Sequence, residues 1–106
     1  MLIIKNTVSL KGLQPPTIVG IMAVSSAFHH FGFDCIITSG TDGKHSVASL
    51  HYVGFAVDFR VKHLPSSADI QAVYKLAKSA LTAEFDLVLE FADGAPSHIH
   101  LEFQPK

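Results

Sequence analysis

The stretch SVASLHYVGFAVDFR, residues 46–60, changes character at Gly54 and sets the expected architecture. After this glycine, large apolar residues alternate with small or charged ones, which is the period of a strand with one face in a core. The side that carries the phenylalanines would face the core. The opposite side would carry Asp58 and Arg60, so this strand predicts both a sheet and a polar surface on it.

Two helices and further strands are expected on either side. A helix at residues 17–31 would stop at Gly32, and a second lies within residues 64–82, with Ser66 or Ser67 as its N-cap. The expected strands are 34–39, 54–61, 85–92 and 98–103, with residues 1–5 as a short edge strand or an arm. This order predicts an α+β domain in which two helices pack on one face of a small, mostly antiparallel sheet.

The apolar pattern of the first helix predicts which side of it enters the core. Residues that share one face at helical spacing are expected to be buried together. The members of this expected face are Ile18, Ile21, Met22, Ser25 and Phe28.

Composition narrows the class of protein. The 106 residues, 48% of them hydrophobic, suit a single domain spanning 1–106, and a net charge of −1 without a basic block argues against nucleic-acid binding. The uncharged run 17–31 is shorter than the ~20 residues that cross a bilayer. Residues 1–12 lack the pattern of a secretory leader, so we expect cytoplasmic synthesis.

The single cysteine, Cys35, lies in an apolar run and is expected to be a buried thiol.

The segment SHIHLEF, residues 97–103, places two histidines on alternate positions. In a strand, His98 and His100 would project from the same face. Two neighbouring imidazoles can ligate a metal, or one can ligate while the other acts as acid or base. The same spacing also fits the exposed polar face of an edge strand, so the pattern alone leaves both interpretations open.

His51 and Asp58 form the second polar pair. Together with a distant histidine they make a mixed nitrogen and oxygen set suited to zinc, with a fourth position left for water. A surface histidine beside an Asp58–Arg60 pair is the alternative. A non-haem iron site of two histidines and a carboxylate is a further one. Such sites usually place the carboxylate two residues after the first histidine, whereas here the gap is seven.

The pattern Ser-x-His-x-x-Gly-x-Ala-x-Asp at 49–58, followed by the later His-x-His, resembles peptidase family M15. This family holds zinc D-Ala-D-Ala carboxypeptidases and L-alanyl-D-glutamate endopeptidases, including small phage members. It belongs with lysostaphin-type peptidases and hedgehog domains, and the resemblance covers residues 19–103. It implies a zinc site on the open face of the sheet, with three ligands. These would be His51, Asp58 and His100.

The resemblance also implies substrate contacts. Ser49 would shape the loop beside the metal and contact substrate. Ser39, Lys44 and Arg60 are weaker candidates, facing a cleft where an anionic peptide terminus would bind.

One departure from the family concerns the general base. Many relatives have Glu or Asp three residues before the last ligand, and this chain has Ser97 there. Glu90 and His98 are the two candidates for the base. Glu90 is favoured in that role, with His98 stabilising the oxyanion.

The resemblance therefore predicts a zinc metallopeptidase that hydrolyses a peptide bond in peptidoglycan stem peptides. Its partner would be peptidoglycan or its fragments, reached after release as a phage-type lysin, or as wall fragments in the cytosol. We expect a monomer that binds neither nucleic acid nor membrane. A zinc-binding domain without catalysis, as in hedgehog relatives, is the alternative.

Overall fold

Two helices cover one face of a five-stranded sheet, which confirms the expected α+β class. The fold is seen in a computed structural model, which describes residues 1–41 and 54–104. The helices contact each other, and α1 also contacts β2, β3 and β5. The elements are β1 Leu2–Ile4, α1 Pro15–His30, β2 Cys35–Ser39, β3 Ala56–Arg60, α2 Ser67–Ala80, β4 Phe85–Ala92 and β5 Ala95–Phe103.

The strand order brings the two sequence motifs together. The strands run in the order β1-β2-β3-β5-β4. β1 is an edge strand parallel to β2, and every other pairing is antiparallel, as the expected mostly antiparallel sheet requires. Because β5 lies between β3 and β4, the last strand of the chain pairs directly with the strand that carries Asp58.

The β4–β5 hairpin is tighter than the sequence indicates. Its strands pair as far as Ala92 and Ala95, and the turn between them is Asp93-Gly94, with φ of 53° and 77°. Positive φ at both central residues is the mark of a two-residue hairpin turn whose twist matches that of the strands. β5 therefore begins at Ala95 rather than at the expected residue 98, and an irregularity after Glu90 absorbs the extra residue.

Helix α1 packs through a face rotated from the expected one. Three of the five expected members are buried, namely Ile21, Ser25 and Phe28. The other two, Ile18 and Met22, are 46% and 65% exposed, while Val24 is fully buried. Gly20 explains the difference, because the position of a Cβ at this residue lies only 2.7 Å from a Phe85 ring carbon. The missing side chain lets the helix approach the sheet at Gly20, and this contact decides which face is buried.

Two side-chain hydrogen bonds fix helix α2, one at its N-terminus and one to β4. The Ser66 hydroxyl accepts a hydrogen bond from the Asp69 amide at 3.2 Å, so Ser66 is the N-cap. The Tyr74 hydroxyl donates to the carbonyl oxygen of Leu87 in β4 at 2.9 Å. Residues of both helices share one buried cluster with Val57 and Ile99 of the sheet, so both helices lie on the same side of it. The opposite face of the sheet carries the polar residues.

Cys35 is fully buried, as expected for a structural thiol. Burial raises its pKa to about 12, against smaller opposing effects of the Ser25 hydrogen bond and the N-terminal charge. The thiolate is therefore disfavoured at neutral pH, which argues against a nucleophilic role.

Gly54 joins the start of β3 to the start of α1. Its carbonyl oxygen accepts hydrogen bonds from the Gln14 amide at 3.0 Å and the Thr17 hydroxyl at 2.8 Å. Its φ is +82°, and a Cβ here would lie 2.2 Å from the Gly12 carbonyl oxygen. The glycine thus permits close backbone packing as well as a left-handed conformation.

Gly54→Ala is expected to destabilise the protein by ~2–4 kcal/mol, because it adds a steric clash to the cost of positive φ. Gly94→Ala is the matched control, since Gly94 has φ of +77° but no atom within 4 Å of the position that a Cβ would take. The control should lose only ~1–2 kcal/mol. Urea unfolding of both variants measures the difference, and equal losses would show that the Gly12 contact does not matter.

Candidate metal centre and active site

A row of polar residues crosses the face of the sheet opposite the helices. In this row Ser39 of β2 pairs with Asp58 of β3, and Asp58 pairs with His100 of β5. Val57 and Ile99, their neighbours along the strands, are fully buried on the other side. The alternation seen in the sequence therefore separates an apolar core face from a face that carries the motif residues.

A second row lies one step along the same strands. Arg60 pairs with His98, and His98 pairs on its other side with Glu90 of β4. Glu90 is thus directly across from His98, because the tight hairpin carries the pairing through to this position. Besides Ser39, the structure brings five sequence-predicted site residues onto this face. They are Asp58, Arg60, Glu90, His98 and His100.

Asp58 and His100 are in hydrogen-bond contact at the centre of the site. The Nδ1 atom of His100 lies 2.7 Å from Oδ1 of Asp58. The two side chains are only 14% and 15% exposed. This pair therefore presents one nitrogen and one oxygen donor from neighbouring strands in a largely desolvated place.

Glu102 is a site residue that sequence reasoning did not assign. Its Oε1 lies 2.7 Å from Nε2 of His100, and its Oε2 accepts a hydrogen bond from the Gln104 side-chain amide. The signal was present in the sequence, because His98, His100 and Glu102 alternate along one strand and so share a face. His100 therefore lies between two carboxylates.

These two carboxylates govern the charge of His100. Burial alone would lower its pKa, but the hydrogen bonds with Asp58 and Glu102, reinforced by their negative charges, raise the pKa to about 9. In the metal-free protein His100 is therefore a cation at neutral pH, with both ring nitrogens donating.

His98 and Glu90 flank this central pair. The Nε2 atom of His98 lies 3.6 Å from Oε1 of Glu90 and 3.7 Å from Oδ1 of Asp58. Glu90 also approaches Nδ1 of His100, at 4.0 Å, and is 45% exposed. A carboxylate that is open to solvent and close to both histidines can accept a proton from water held nearby.

The donors on this face suit zinc but do not complete a site among the described residues. Within residues 1–41 and 54–104, no group of three or more histidine, cysteine, aspartate or glutamate side chains is arranged to hold a metal ion. Asp58 and His100 offer the mixed oxygen and nitrogen donors that zinc accepts. His51, the remaining ligand implied by the motif, lies outside the described residues, as do Ser49 and Lys44.

Zinc binding at pH 8 is expected to release about one proton from His100, because zinc needs a deprotonated nitrogen. At that pH an ordinary histidine is already neutral, whereas His100, with a pKa of about 9, still holds its proton. The number of protons released should decrease above pH 9, because His100 is then already neutral in the metal-free protein. Calorimetry in buffers of different ionisation enthalpy measures the release. A release near zero at pH 8 would contradict the assignment of His100.

A surface cleft of 630 Å³ lies beside α2 and β4 and reaches the edge of this site at Glu102. Its lining also includes Tyr74, Lys78 and Asp86. Asp58 and His100 do not line it. The candidate site is the histidine and carboxylate cluster rather than this cleft, because the cluster holds nitrogen and oxygen donors within hydrogen-bond distance of one another.

No protein-family model matches the chain, and no curated protein matches it. In the described parts of the chain, no helix has both the length and the apolar character needed to cross a membrane.

Proposed function

We propose that this protein is a zinc peptidase that hydrolyses a peptide bond in peptidoglycan stem peptides. The observation that carries the proposal is the convergence of Asp58 and His100, 2.7 Å apart, with Glu90 and His98 beside them on the same sheet face. The motif resemblance to peptidase family M15 supplies the substrate class.

Asp58 and His100, with His51 from the sequence motif, would hold the zinc ion. Zinc, when bound, supplies a Lewis acid that polarises a carbonyl and makes water more acidic. To bind the ion, Nδ1 of His100 would give up the proton that it shares with Asp58 in the metal-free protein. The facing of these two donor atoms across a shared hydrogen bond supports this assignment.

Glu90 would act as the general base. Its Oε1 lies 3.6 Å from His98 and 4.0 Å from His100, so it borders the space in which water would attack. The carboxylate would take a proton from water and pass it to the leaving amine. His98 would donate a hydrogen bond to the carbonyl oxygen as that oxygen gains negative charge.

The substrate would lie along the open face. Arg60 is exposed and pairs with His98 across the strands, so its positive charge suits an anionic peptide terminus. Ser39 pairs with Asp58 at the opposite side of the site. The motif adds Ser49 and Lys44 as further contacts. The protein would act as a monomer, on the cell wall after release or on wall fragments in the cytosol.

Incubation of zinc-loaded protein with purified peptidoglycan and soluble stem peptides tests the proposal. Mass spectrometry should detect either a released terminal alanine, which indicates carboxypeptidase action, or new amino termini within the stem, which indicate endopeptidase action. Chelation should stop the reaction and zinc should restore it. A protein that carries one zinc per chain but yields no product from either substrate would favour the zinc-binding domain without catalysis.

A further inference from the structure

Glu102 contacts the His100 ring on the side opposite Asp58. Its Oε1 is 2.7 Å from Nε2, while Nδ1 of the same ring is 2.7 Å from Asp58. Glu102 is itself held by the Gln104 side chain, which donates to its second oxygen. Both nitrogens of the His100 ring therefore contact a carboxylate, and the Glu102 carboxylate is held in turn by a further hydrogen bond.

The two ring nitrogens of a neutral histidine have different roles. One carries a proton and donates, and the other has a lone pair that can bind a metal. Both ring nitrogens of His100 face a carboxylate in the metal-free protein, and a carboxylate can only accept a hydrogen bond. Asp58 is an assigned zinc ligand and Glu102 is not. On metal binding the proton on Nε2 would therefore stay with Glu102, and the lone pair would be on Nδ1, which faces Asp58.

We propose that Glu102 is a positioning residue that holds His100 with Nδ1 towards Asp58 and so makes Nδ1 the metal-binding nitrogen. This inference rests on the proposed zinc site. Partners of this kind commonly fix the tautomer and the orientation of a ligating histidine, and they raise its basicity.

A neighbouring carboxylate provides a comparison for Glu102. Asp86 is its partner across β4 and β5, and both border the same cleft. The contact with Nε2 of His100, at 2.7 Å, is made by Oε1 of Glu102. Asp86→Asn removes a negative charge from the position paired with Glu102 and leaves this contact in place. It therefore serves as the matched control.

The test compares Glu102→Ala, Glu102→Gln and Asp86→Asn with the unaltered protein. Zinc affinity, measured by competition with a chelator, should fall about 10–100-fold in Glu102→Ala. Glu102→Gln should recover most of this loss, because its amide oxygen can accept the same bond from Nε2. Asp86→Asn should stay close to the unaltered protein.

Nitrogen NMR of cadmium-substituted protein gives a readout that a structural role would not move. The unaltered protein should show metal coupling at Nδ1 of His100 and a slowly exchanging proton on Nε2. In Glu102→Ala that proton should exchange rapidly. Metal coupling at Nε2 in the unaltered protein would overturn the proposal.

Failure of the Glu102 role and failure of the zinc site are distinguishable. If the unaltered protein and Glu102→Ala bind zinc equally tightly, the role of Glu102 is wrong and the zinc site stands. If the unaltered protein binds no zinc, the proposed site is wrong and the role of Glu102 falls with it.

Discussion

His100→Ala is expected to abolish stoichiometric zinc binding and, with it, peptide hydrolysis. The substitution removes Nδ1, the nitrogen that lies 2.7 Å from Asp58, and leaves only two of the three assigned zinc ligands. The loss of affinity should exceed the ~100-fold seen when only an outer partner of a ligand is removed. Metal content after gel filtration measures the effect.

His98→Ala is the matched control for this loss. It removes an imidazole from the same strand and the same face, two residues away, but not one of the assigned ligands. It should therefore keep one zinc per chain while losing turnover. Circular dichroism of both variants without metal would separate loss of zinc from loss of folding. Full zinc occupancy in a folded His100→Ala variant would show that the ligand assignment is wrong.

Glu90→Gln is expected to keep zinc and to lose turnover by about a hundredfold or more, as removal of a general base does. The amide keeps the size of the side chain and its position across from His98, but it cannot accept a proton at neutral pH. The measurement is the rate of stem-peptide hydrolysis at matched zinc content.

Asp86→Asn tests whether the loss of any carboxylate on this part of β4 lowers turnover, or only the loss of Glu90. Asp86 lies on the same face of the strand, and its substitution should leave zinc and turnover close to those of the unaltered protein. Near-normal rates for Glu90→Gln beside an inactive His98→Ala would transfer the role of base to His98.

Strand periodicity predicted which side of the sheet would carry chemistry. Asp58 and the His-x-His pair fall on the face away from Val57 and Ile99, as alternation requires. The strand order was not predictable from local pattern, because pairing β5 between β3 and β4 depends on contacts between distant residues. That order is what brings Asp58 within 2.7 Å of His100.

Other features escaped sequence reasoning for local reasons. The apolar residues of α1 lie on most sides of the helix, so periodicity alone did not reveal that Gly20 would set its buried face. Glu102 follows the polar alternation of β5, which also fits a solvated strand face. The position of Glu90 depended on the Asp93-Gly94 turn and on the irregularity beside it.

Metal analysis of the purified protein tests the central claim most directly. Zinc is the metal that suits the mixed histidine and carboxylate set of His51, Asp58 and His100. We predict one zinc per chain, retained through gel filtration and lost to a strong chelator. A protein that binds no metal under zinc-replete conditions, or that holds iron instead, would contradict the zinc assignment.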